Sequence, residues 1–372
     1  MSFKSRNRTY LYLIAFYIIV VVFWLSYCPG FSKEVRSDEI QKKNFLRKEI
    51  FFESPEMTSI TNIIQGNFDQ DPDKKIGIFD QFSFYSVNRH SGATEKVVRF
   101  KWASGILRPD LVYIKTKKDQ GYGFIAKGPV SDIGLMNQMG EPIWVYKPAN
   151  QEIINTMAAG DLDQNGVLEF YVATSRGLVK LNQSGIKFWE KSGWVGDVDI
   201  FDTGTANKYL VVTINSDNRI QFRNYMGELE KEFASPIQAN KIQNVEWPTP
   251  GHLLMTAANN IYILDFEGKI VFSHKLNKDI FAIRGTPIQF KHDEKISLAL
   301  VAKFSSTTGK AMLCIFSSNG ELIYEELINT TQGLLAMQTK TLGKQILLVG
   351  NGPGKIYKYW SKEGEMQDNG AK

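Results

Sequence analysis

The sequence predicts an all-β protein, a seven-bladed β-propeller with six or eight blades as the margin, preceded by one N-terminal transmembrane helix. A turn that ends in glycine recurs about every 45 residues, a period typical of propeller blades. The segments between these turns are rich in β-branched and aromatic residues, which favour strands. The first uncharged segment of the chain is apolar and long enough to span a bilayer.

The N-terminal apolar segment, residues 10–28, is predicted to be an uncleaved signal anchor that contacts the lipid bilayer. Its 18-residue core, Tyr10–Tyr27, carries no charge. As a helix this core would rise about 27 Å, close to the hydrocarbon thickness of a membrane. The basic residues in front of it are Lys4, Arg6 and Arg8. By the positive-inside rule we expect residues 1–9 to be cytoplasmic and the following domain to be periplasmic or extracellular.

Two alternatives to the anchor are a cleaved signal peptide and a lipoprotein. A cleaved signal peptide would have a shorter apolar run, of about 7–15 residues, and a small-residue cleavage site, which this sequence lacks. A lipoprotein acylated at Cys28 would fit the loosely matching residues before that cysteine, but the bulky Tyr27 argues against it. The sequence therefore favours the anchor over both alternatives.

Composition excludes several classes of protein. With 43% hydrophobic and 12% aromatic residues, the 372-residue chain is not of the disordered type. Three of its 44 basic residues precede the anchor, so the remaining 41 nearly balance the 39 acidic residues. This balance gives no basis for nucleic-acid binding. Cys314 is the one cysteine in the predicted domain and is expected to be a small buried hydrophobe.

The glycine turns divide residues 56–366, the predicted propeller, into units. Each turn is interpreted as a hairpin in which glycine supplies a positive φ. The clearest copies are Leu181–Trp189 and Leu264–Phe272. The turn glycines are Gly92, Gly140, Gly185, Gly227, Gly268, Gly320 and Gly364. The aromatic residues four positions after a turn glycine are expected to bury against the neighbouring unit; they are Trp144, Trp189, Phe272 and Tyr324.

The last unit lacks an outer strand of its own. After Gly364 the chain is polar, and residues 367–372 are predicted to be a disordered tail. Residues 29–55 form a juxtamembrane linker, within which Phe45–Phe52 has no partner of its own. We predict that this segment supplies the missing outer strand and closes the ring, because an unpaired sheet edge is a liability.

An acidic loop between two strands predicts a structural calcium site. Within Ala159–Val172, oxygen ligands would stand at relative positions 1, 3, 5, 7 and 9, an arrangement that wraps Ca²⁺. The predicted ligands are Asp161, Asp163, Asn165, the carbonyl of Val167, and Glu169. The alternative is an Asx turn that closes a hairpin without metal. That alternative is preferred for the weaker copy Asn67–Asp73, where Lys75 stands in place of the last acid.

These residues resemble the FG-GAP/VCBS type of propeller repeat, and the hairpins resemble those of PQQ-like propellers. The resemblance covers about residues 58–366 and is strongest over Met157–Trp189. It implies a propeller used mainly as a binding platform, with calcium in the best-preserved loop. Neither family fixes one function.

Catalytic motifs do not stand out. The chain has no H-E-x-x-H and no G-x-S-x-G, and Gly350–Lys355 fits a hairpin turn better than a phosphate loop. Asp197 and Asp199 form a close carboxylate pair that is expected to be a solvated strand end. The function predicted from sequence is a non-catalytic module that binds a protein or glycan partner. The alternative is an exported propeller enzyme, either a quinoprotein dehydrogenase or a polysaccharide hydrolase or lyase.

Overall fold

The computed structural model describes most of the chain after the predicted linker. The described residues are 46–66, 75–80, 82–100, 111–115, 120–127, 132–137, 139–149, 152–205, 208–239, 241–290, 295–305, 309–329, 333–338 and 345–361. The predicted N-terminus, anchor and tail (1–9, 10–28 and 367–372), Cys28, Gly364 and the loop Asn67–Asp73 lie outside them. Within the described ranges, no helix combines the length and apolarity that a membrane crossing requires.

The described strands form seven antiparallel four-stranded sheets. β1 (Leu46–Glu53) is followed by sheet 1, made of β2 (Asn62–Gly66), β3 (Lys75–Phe79), β4 (Ser83–Val87) and β5 (Thr94–Arg99). Sheet 2 contains β6 (Leu111–Lys115), β7 (Gln120–Lys127), β8 (Ile133–Met136) and β9 (Pro142–Tyr146). Sheet 3 contains β10 (Ile154–Gly160), β11 (Glu169–Thr174), β12 (Gly177–Leu181) and β13 (Lys187–Ser192).

The remaining sheets repeat the same order of strands. Sheet 4 contains β14 (Val195–Asp202), β15 (Tyr209–Asn215), β16 (Arg219–Arg223) and β17 (Leu229–Ala234). Sheet 5 contains β18 (Ile242–Val245), β19 (His252–Ala257), β20 (Asn260–Asp265) and β21 (Ile270–Lys275). Sheet 6 contains β22 (Ile280–Ile288), β23 (Ser297–Phe304), β24 (Lys310–Phe316) and β25 (Leu322–Asn329). Sheet 7 contains β26 (Leu334–Gln338), β27 (Gln345–Gly350), β28 (Lys355–Ser361) and, at its edge, β1.

Sheet 7 joins the two ends of the described chain. β1 runs antiparallel to β28, with Leu46 opposite Ser361 and Glu53 opposite Lys355. The segment proposed from sequence as the closing strand is thus the outer strand of this sheet. Ion pairs between Lys355 and Glu53 (2.8 Å) and between Lys358 and Glu49 add charge complementarity to the backbone ladder.

Adjacent sheets pack face to face, as in a ring. The first strands of successive sheets lie side by side, with β10 against β14, β14 against β18, β18 against β22, β22 against β26, and β26 against β2. Buried apolar clusters fill the spaces between sheets 5 and 6, 6 and 7, and 7 and 1. Cys314 is fully buried in the first of these clusters, which confirms the expectation for this residue.

The predicted hairpin turn, with a glycine of positive φ, is confirmed at six positions. The six described turn glycines all have positive φ; they are Gly92, Gly140, Gly185, Gly227, Gly268 and Gly320. In five of these turns a side chain three residues before the glycine accepts two backbone N–H groups, from the residues two and four positions later. The accepting residues are Asn137, Asn182, Asn224, Asp265 and Ser317. Each turn is therefore fixed by contacts within five residues.

The aromatic residue after each turn packs on the next sheet, as predicted. Trp144 lies against Gly185, where an added Cβ would stand 2.5 Å from the indole ring. Its indole N–H donates to the carbonyl of Gln183 at 3.0 Å. Phe272 meets Phe316 edge-on at 5.0 Å between ring centroids, and Tyr324 meets Tyr359 at 6.3 Å. Glycine at the turn gives the neighbouring ring room to approach the backbone.

Candidate binding site around Trp194

One side of the successive sheets carries the connections between them. In a four-stranded antiparallel meander, the hairpin between the second and third strands lies on the same side as the link to the next sheet. Sheets 3 to 5 therefore bring three segments to one face: 192–195, which joins β13 to β14, the hairpin 215–218, and the described residues 235–239 and 241 between β17 and β18. We call this side of sheets 3 to 5 the connection face.

Trp194 is an exposed aromatic residue on this face, between β13 and β14. Its side chain is 42% exposed, and it follows Gly193, whose φ is +111°. The indole ring lies over Gly196, where an added Cβ would stand 2.5 Å from the ring. Because Gly196 has no side chain, the ring rests on the start of β14. Trp194 thus offers a fixed apolar surface on the connection face.

A pocket of about 770 Å³ opens beside Trp194. It is lined by Asn155, Trp194, Gly196, Ile214, Asn215, Ser216, Asn218, Gln238, Ala239 and Lys241. Four of these ten described residues carry side-chain amides, and Lys241 is the one titratable side chain among the ten. An aromatic ring beside several hydrogen-bonding groups is the usual composition of a binding pocket.

The walls of this pocket are held by buried or half-buried hydrogen bonds. Asn155 donates through Nδ2 to the carbonyl of Val195 at 2.6 Å and so ties β10 to β14. Asn218, with φ +57°, donates to the carbonyls of Ser235 and Ile237 at 3.2 and 2.7 Å. The hairpin and the link to sheet 5 are therefore fixed to each other. The pocket does not need a ligand to give it this shape.

The carboxylate pair noted in the sequence, Asp197 and Asp199, binds the backbone of a neighbouring strand. Asp197 is fully buried in β14 and accepts the backbone N–H of Ile242 on β18 at 2.9 Å, with Lys241 Nζ at 3.7 Å. Asp199 accepts the N–H of Asn244 at 3.0 Å. The expectation of a solvated strand end is wrong for Asp197, because both carboxylates bind the backbone of the next first strand.

A smaller cleft of about 110 Å³ continues the pocket between sheets 3 and 4. It shares Trp194, Asn215 and Ser216 with the pocket. The other residues along it are Leu178, Lys191, Ser192, Gly193, Val195, Thr213, Asp217, Gln221 and Arg223. The alternation of side chains along β16 places Arg219, Gln221 and Arg223 on one side of the strand.

The charged groups in this cleft and beside it differ in how they are paired. Glu232 binds Arg219 at 2.5 Å and accepts a hydrogen bond from Gln221. The hydrogen bonds from Gln221 and Arg219 lower the pKa of Glu232. Arg223 donates to Gln221 Oε1 at 3.0 Å and to the carbonyl of Gly227 at 3.2 Å. Burial lowers the pKa of Arg223, because its guanidinium is partly removed from water.

The predicted calcium loop is closed by its own hydrogen bonds. The two carboxylate oxygens of Asp161 accept the N–H groups of Asn165 (3.0 Å) and Gly166 (2.8 Å). Asn165 donates through Nδ2 to Asp163 at 2.9 Å, and its Oδ1 accepts the N–H of Val167 at 2.8 Å. These contacts are those of the Asx turn that the sequence left as the alternative.

The fifth predicted ligand, Glu169, is engaged elsewhere. Its Oε1 lies 2.5 Å from Lys180 Nζ, and its Oε2 accepts the hydroxyl of Tyr171 at 2.8 Å. Throughout the described ranges, no group of three or more His, Cys, Asp or Glu side chains is arranged to hold a metal ion. The arrangement therefore does not present the complete set of five oxygens. Calcium binding at Asp161–Glu169 stays a prediction, and the function proposed below does not depend on it.

Four residues of this site were not predicted from the sequence: Trp194, Gly196, Asn218 and Lys241. A signal for Trp194 existed, because Gly193-Trp194-Val195-Gly196 interrupts the repeat with a large apolar residue between two glycines. Asn218 is one of the described non-glycine residues with positive φ, and asparagine tolerates that conformation. The position of Lys241 beside Asp197 had no local signal, since 44 residues separate the two.

Comparisons with known proteins give a fold and no family. No family model matches the chain, and no curated protein matches its sequence. Two solved structures of BBS1N in complex with ARL6DN, from crystals soaked with mercury or with lead, superpose with TM-scores of 0.60 and 0.57. Both are 13% identical to this chain and cover 84% of it, and the match spans 97% and 96% of those chains. This is a β-propeller fold. At 13% identity the likeness shows the fold alone.

Proposed function

We propose that this protein is a non-catalytic binding module that docks a protein partner on the connection face. The observation that carries the proposal is the preformed pocket beside Trp194. Its described lining supplies an indole ring, amides and one cation, Lys241, which faces the buried Asp197. Such a surface offers contacts for binding rather than a nucleophile beside a base.

A protein of the same fold supports this proposal. BBS1N was crystallised in complex with ARL6DN, so the architecture can serve as a platform for another protein. Rigid walls also favour binding, because a preformed site loses little conformational freedom when a partner arrives. The hydrogen bonds from Asn155 and Asn218 provide that rigidity at the Trp194 pocket.

The wider arrangement is part of the proposal. We infer a ring of seven blades closed by Leu46–Glu53 and held on the outer side of a membrane by residues 10–28. The uncharged segment supports the anchor, and the seven described sheets support the blade number. Tethering would confine the connection face to partners at or near the membrane.

The test is site-specific photo-crosslinking of the full chain in its native membrane. A photoreactive amino acid replaces Ser216 in the pocket, or Lys96 on the outer strand β5 as a control. We expect one protein to crosslink at Ser216 and not at Lys96, and the purified partner to bind the full chain in detergent. Trp194→Ala should weaken that binding at least tenfold. Equal crosslinking at both positions, or binding unchanged by Trp194→Ala, would refute the proposal. Capture of oligosaccharides instead would favour a glycan ligand.

A further inference from the structure

Two cations, Arg223 and Lys191, line the cleft next to Trp194, and the carboxylate of Glu232 acts on Arg223 from beyond ion-pair distance. No described carboxylate oxygen lies within ion-pair distance of Arg223 or Lys191. Arg223 uses hydrogen bonds to Gln221 and Gly227, and Lys191 Nζ lies 5.8 Å from the centroid of the Trp189 ring. A guanidinium has five N–H donors, and these contacts leave some of the donors of Arg223 for a ligand. An anion that binds beside a partly buried cation forms a charge-assisted hydrogen bond with it. Such a bond is stronger than one between neutral groups.

The other charges beside the cleft offset these two cations only in part, because Glu232 acts on Arg223 by charge alone and forms its ion pair with Arg219. Arg219 is balanced by Glu232 at 2.5 Å, and Lys241 is balanced by the buried Asp197. Asp217 is the one acid among the described residues that line the cleft, and it lies in the hairpin at the connection face. Arg223 stands at the other end of β16, about 13 Å further along the strand at roughly 3.3 Å per residue. The cleft is therefore polarised, with its positive end away from the connection face.

The cleft and the pocket form one continuous binding surface. They share Trp194, Asn215 and Ser216, so a ligand could pass from the pocket, across the indole ring, into the cleft. A compact ligand would reach one end only. An extended peptide spans more than 3 Å per residue, so about four to six residues would contact both ends.

We propose that the Trp194 surface binds an extended acidic segment of the partner protein. An apolar side chain of the segment packs on Trp194, and a carboxylate further along binds Arg223 and Lys191. Carboxylates pair with guanidinium through two parallel hydrogen bonds, a geometry that distinguishes them from neutral side chains. This inference rests on the proposed function, since it specifies the chemistry of the partner at the same surface.

The experiment uses the full chain in detergent micelles and a phage library of random 12-residue peptides. Enriched peptides are synthesised and their affinities are measured by calorimetry. We expect the enriched sequences to carry at least two acidic residues beside an apolar one. Lys191→Gln combined with Arg223→Gln should weaken their binding at least tenfold, and added salt should weaken it in the unmodified chain. The control replaces two exposed lysines of other sheets, Lys96→Gln with Lys269→Gln, and should leave affinity unchanged.

The outcomes separate this inference from the proposed function. The proposal of an acidic segment is refuted if the enriched peptides show no acidic bias. It is also refuted if they bind the double variant as tightly as the unmodified chain. If those same peptides lose affinity in Trp194→Ala, the protein-binding function stands without it. Enrichment of no peptide at all also counts against the acidic segment. Thermal melting checks that each variant folds, and Lys191→Gln alone replaces the double variant if Arg223→Gln unfolds.

Discussion

Lys180 and Glu169 form an ion pair of 2.5 Å inside the protein, with side chains 5% and 10% exposed. The ammonium also donates to the carbonyl of Tyr225 at 2.8 Å, which belongs to the next sheet. It lies 5.3 to 5.8 Å from the ring centroids of Tyr171, Phe188 and Tyr225. A protein cation therefore occupies the surroundings of the carboxylate that the sequence assigned to calcium.

Removal of Lys180 should destabilise the fold strongly. Lys180→Met leaves Glu169 buried without its partner, for which we expect a loss of about 3 kcal/mol in the free energy of unfolding. Replacing both residues with methionine should recover much of that loss, because no charge is then left buried. The matched control is Lys187→Met, whose pair with Glu190 is solvent-exposed and should contribute under about 0.5 kcal/mol. Urea unfolding measures all three. Equal effects of Lys180→Met and Lys187→Met would contradict the role of the buried pair.

Calcium should have a small effect on stability. A cation in the loop would lack Glu169, so we expect 10 mM calcium to stabilise the chain by less than about 1 kcal/mol. Asp161→Ala should still cost about 1 kcal/mol with or without calcium, because Asp161 accepts two backbone N–H groups. Thermal melting in calcium or chelator distinguishes these effects. A rise in stability well above this bound that disappears in Asp161→Ala would show that the loop is a strong calcium site.

Two glycines with positive φ, one in a repeat turn and one in the acidic loop, should differ in their tolerance of alanine. Gly185 and Gly166 both have positive φ, at +74° and +81°. An added Cβ at Gly185 would stand 2.5 Å from Trp144, whereas nothing lies within 4 Å of the corresponding position at Gly166. We expect Gly166→Ala to cost about 1 kcal/mol from backbone strain and Gly185→Ala clearly more. Similar losses in denaturant unfolding would mean that the contact with Trp144 contributes nothing.

Stability should fall at alkaline pH through a cluster beside the closing strand. Glu326 accepts the hydroxyls of Tyr324 at 2.6 Å and Tyr359 at 3.0 Å, and binds Lys48 of β1 at 2.5 Å. Burial, together with the hydrogen bond and charge of Glu326, raises the pKa of both tyrosines. Above pH of about 10, the unfolded chain loses phenolic protons that the folded chain keeps. The stability contributed by the neutral phenols is therefore present below pH 10 and is lost as pH rises.

This pH dependence can be assigned to individual residues. Urea unfolding between pH 8 and 11 gives the slope of stability against pH. Tyr324→Phe should reduce the slope, because the side chain no longer titrates. Tyr209→Phe, at an exposed position outside this cluster, is the control. A slope that is the same in both variants would show that other groups cause the alkaline loss.

The repeat was readable from sequence because each hairpin is a local structure. Asn182 and Gly185 meet within one turn, and their spacing is visible along the chain. The closing strand could also be inferred, since a polar C-terminus leaves the last sheet short of a strand. The residues of the site were harder to predict from the sequence. Asp197 looked solvated because nothing near it in sequence shows the backbone of Ile242, its partner on the next sheet.

The sequence alone determined the all-β class, the turn positions and the period of the repeat, because these depend on φ preferences and on hydrogen bonds within about five residues. Only the tertiary structure decided which polar residues would meet. Lys180 and Tyr225, or Asp197 and Ile242, come together across 45 residues of chain. Such pairs form because one sheet packs on the next, and that packing sets the partner of Glu169 and the surroundings of Trp194.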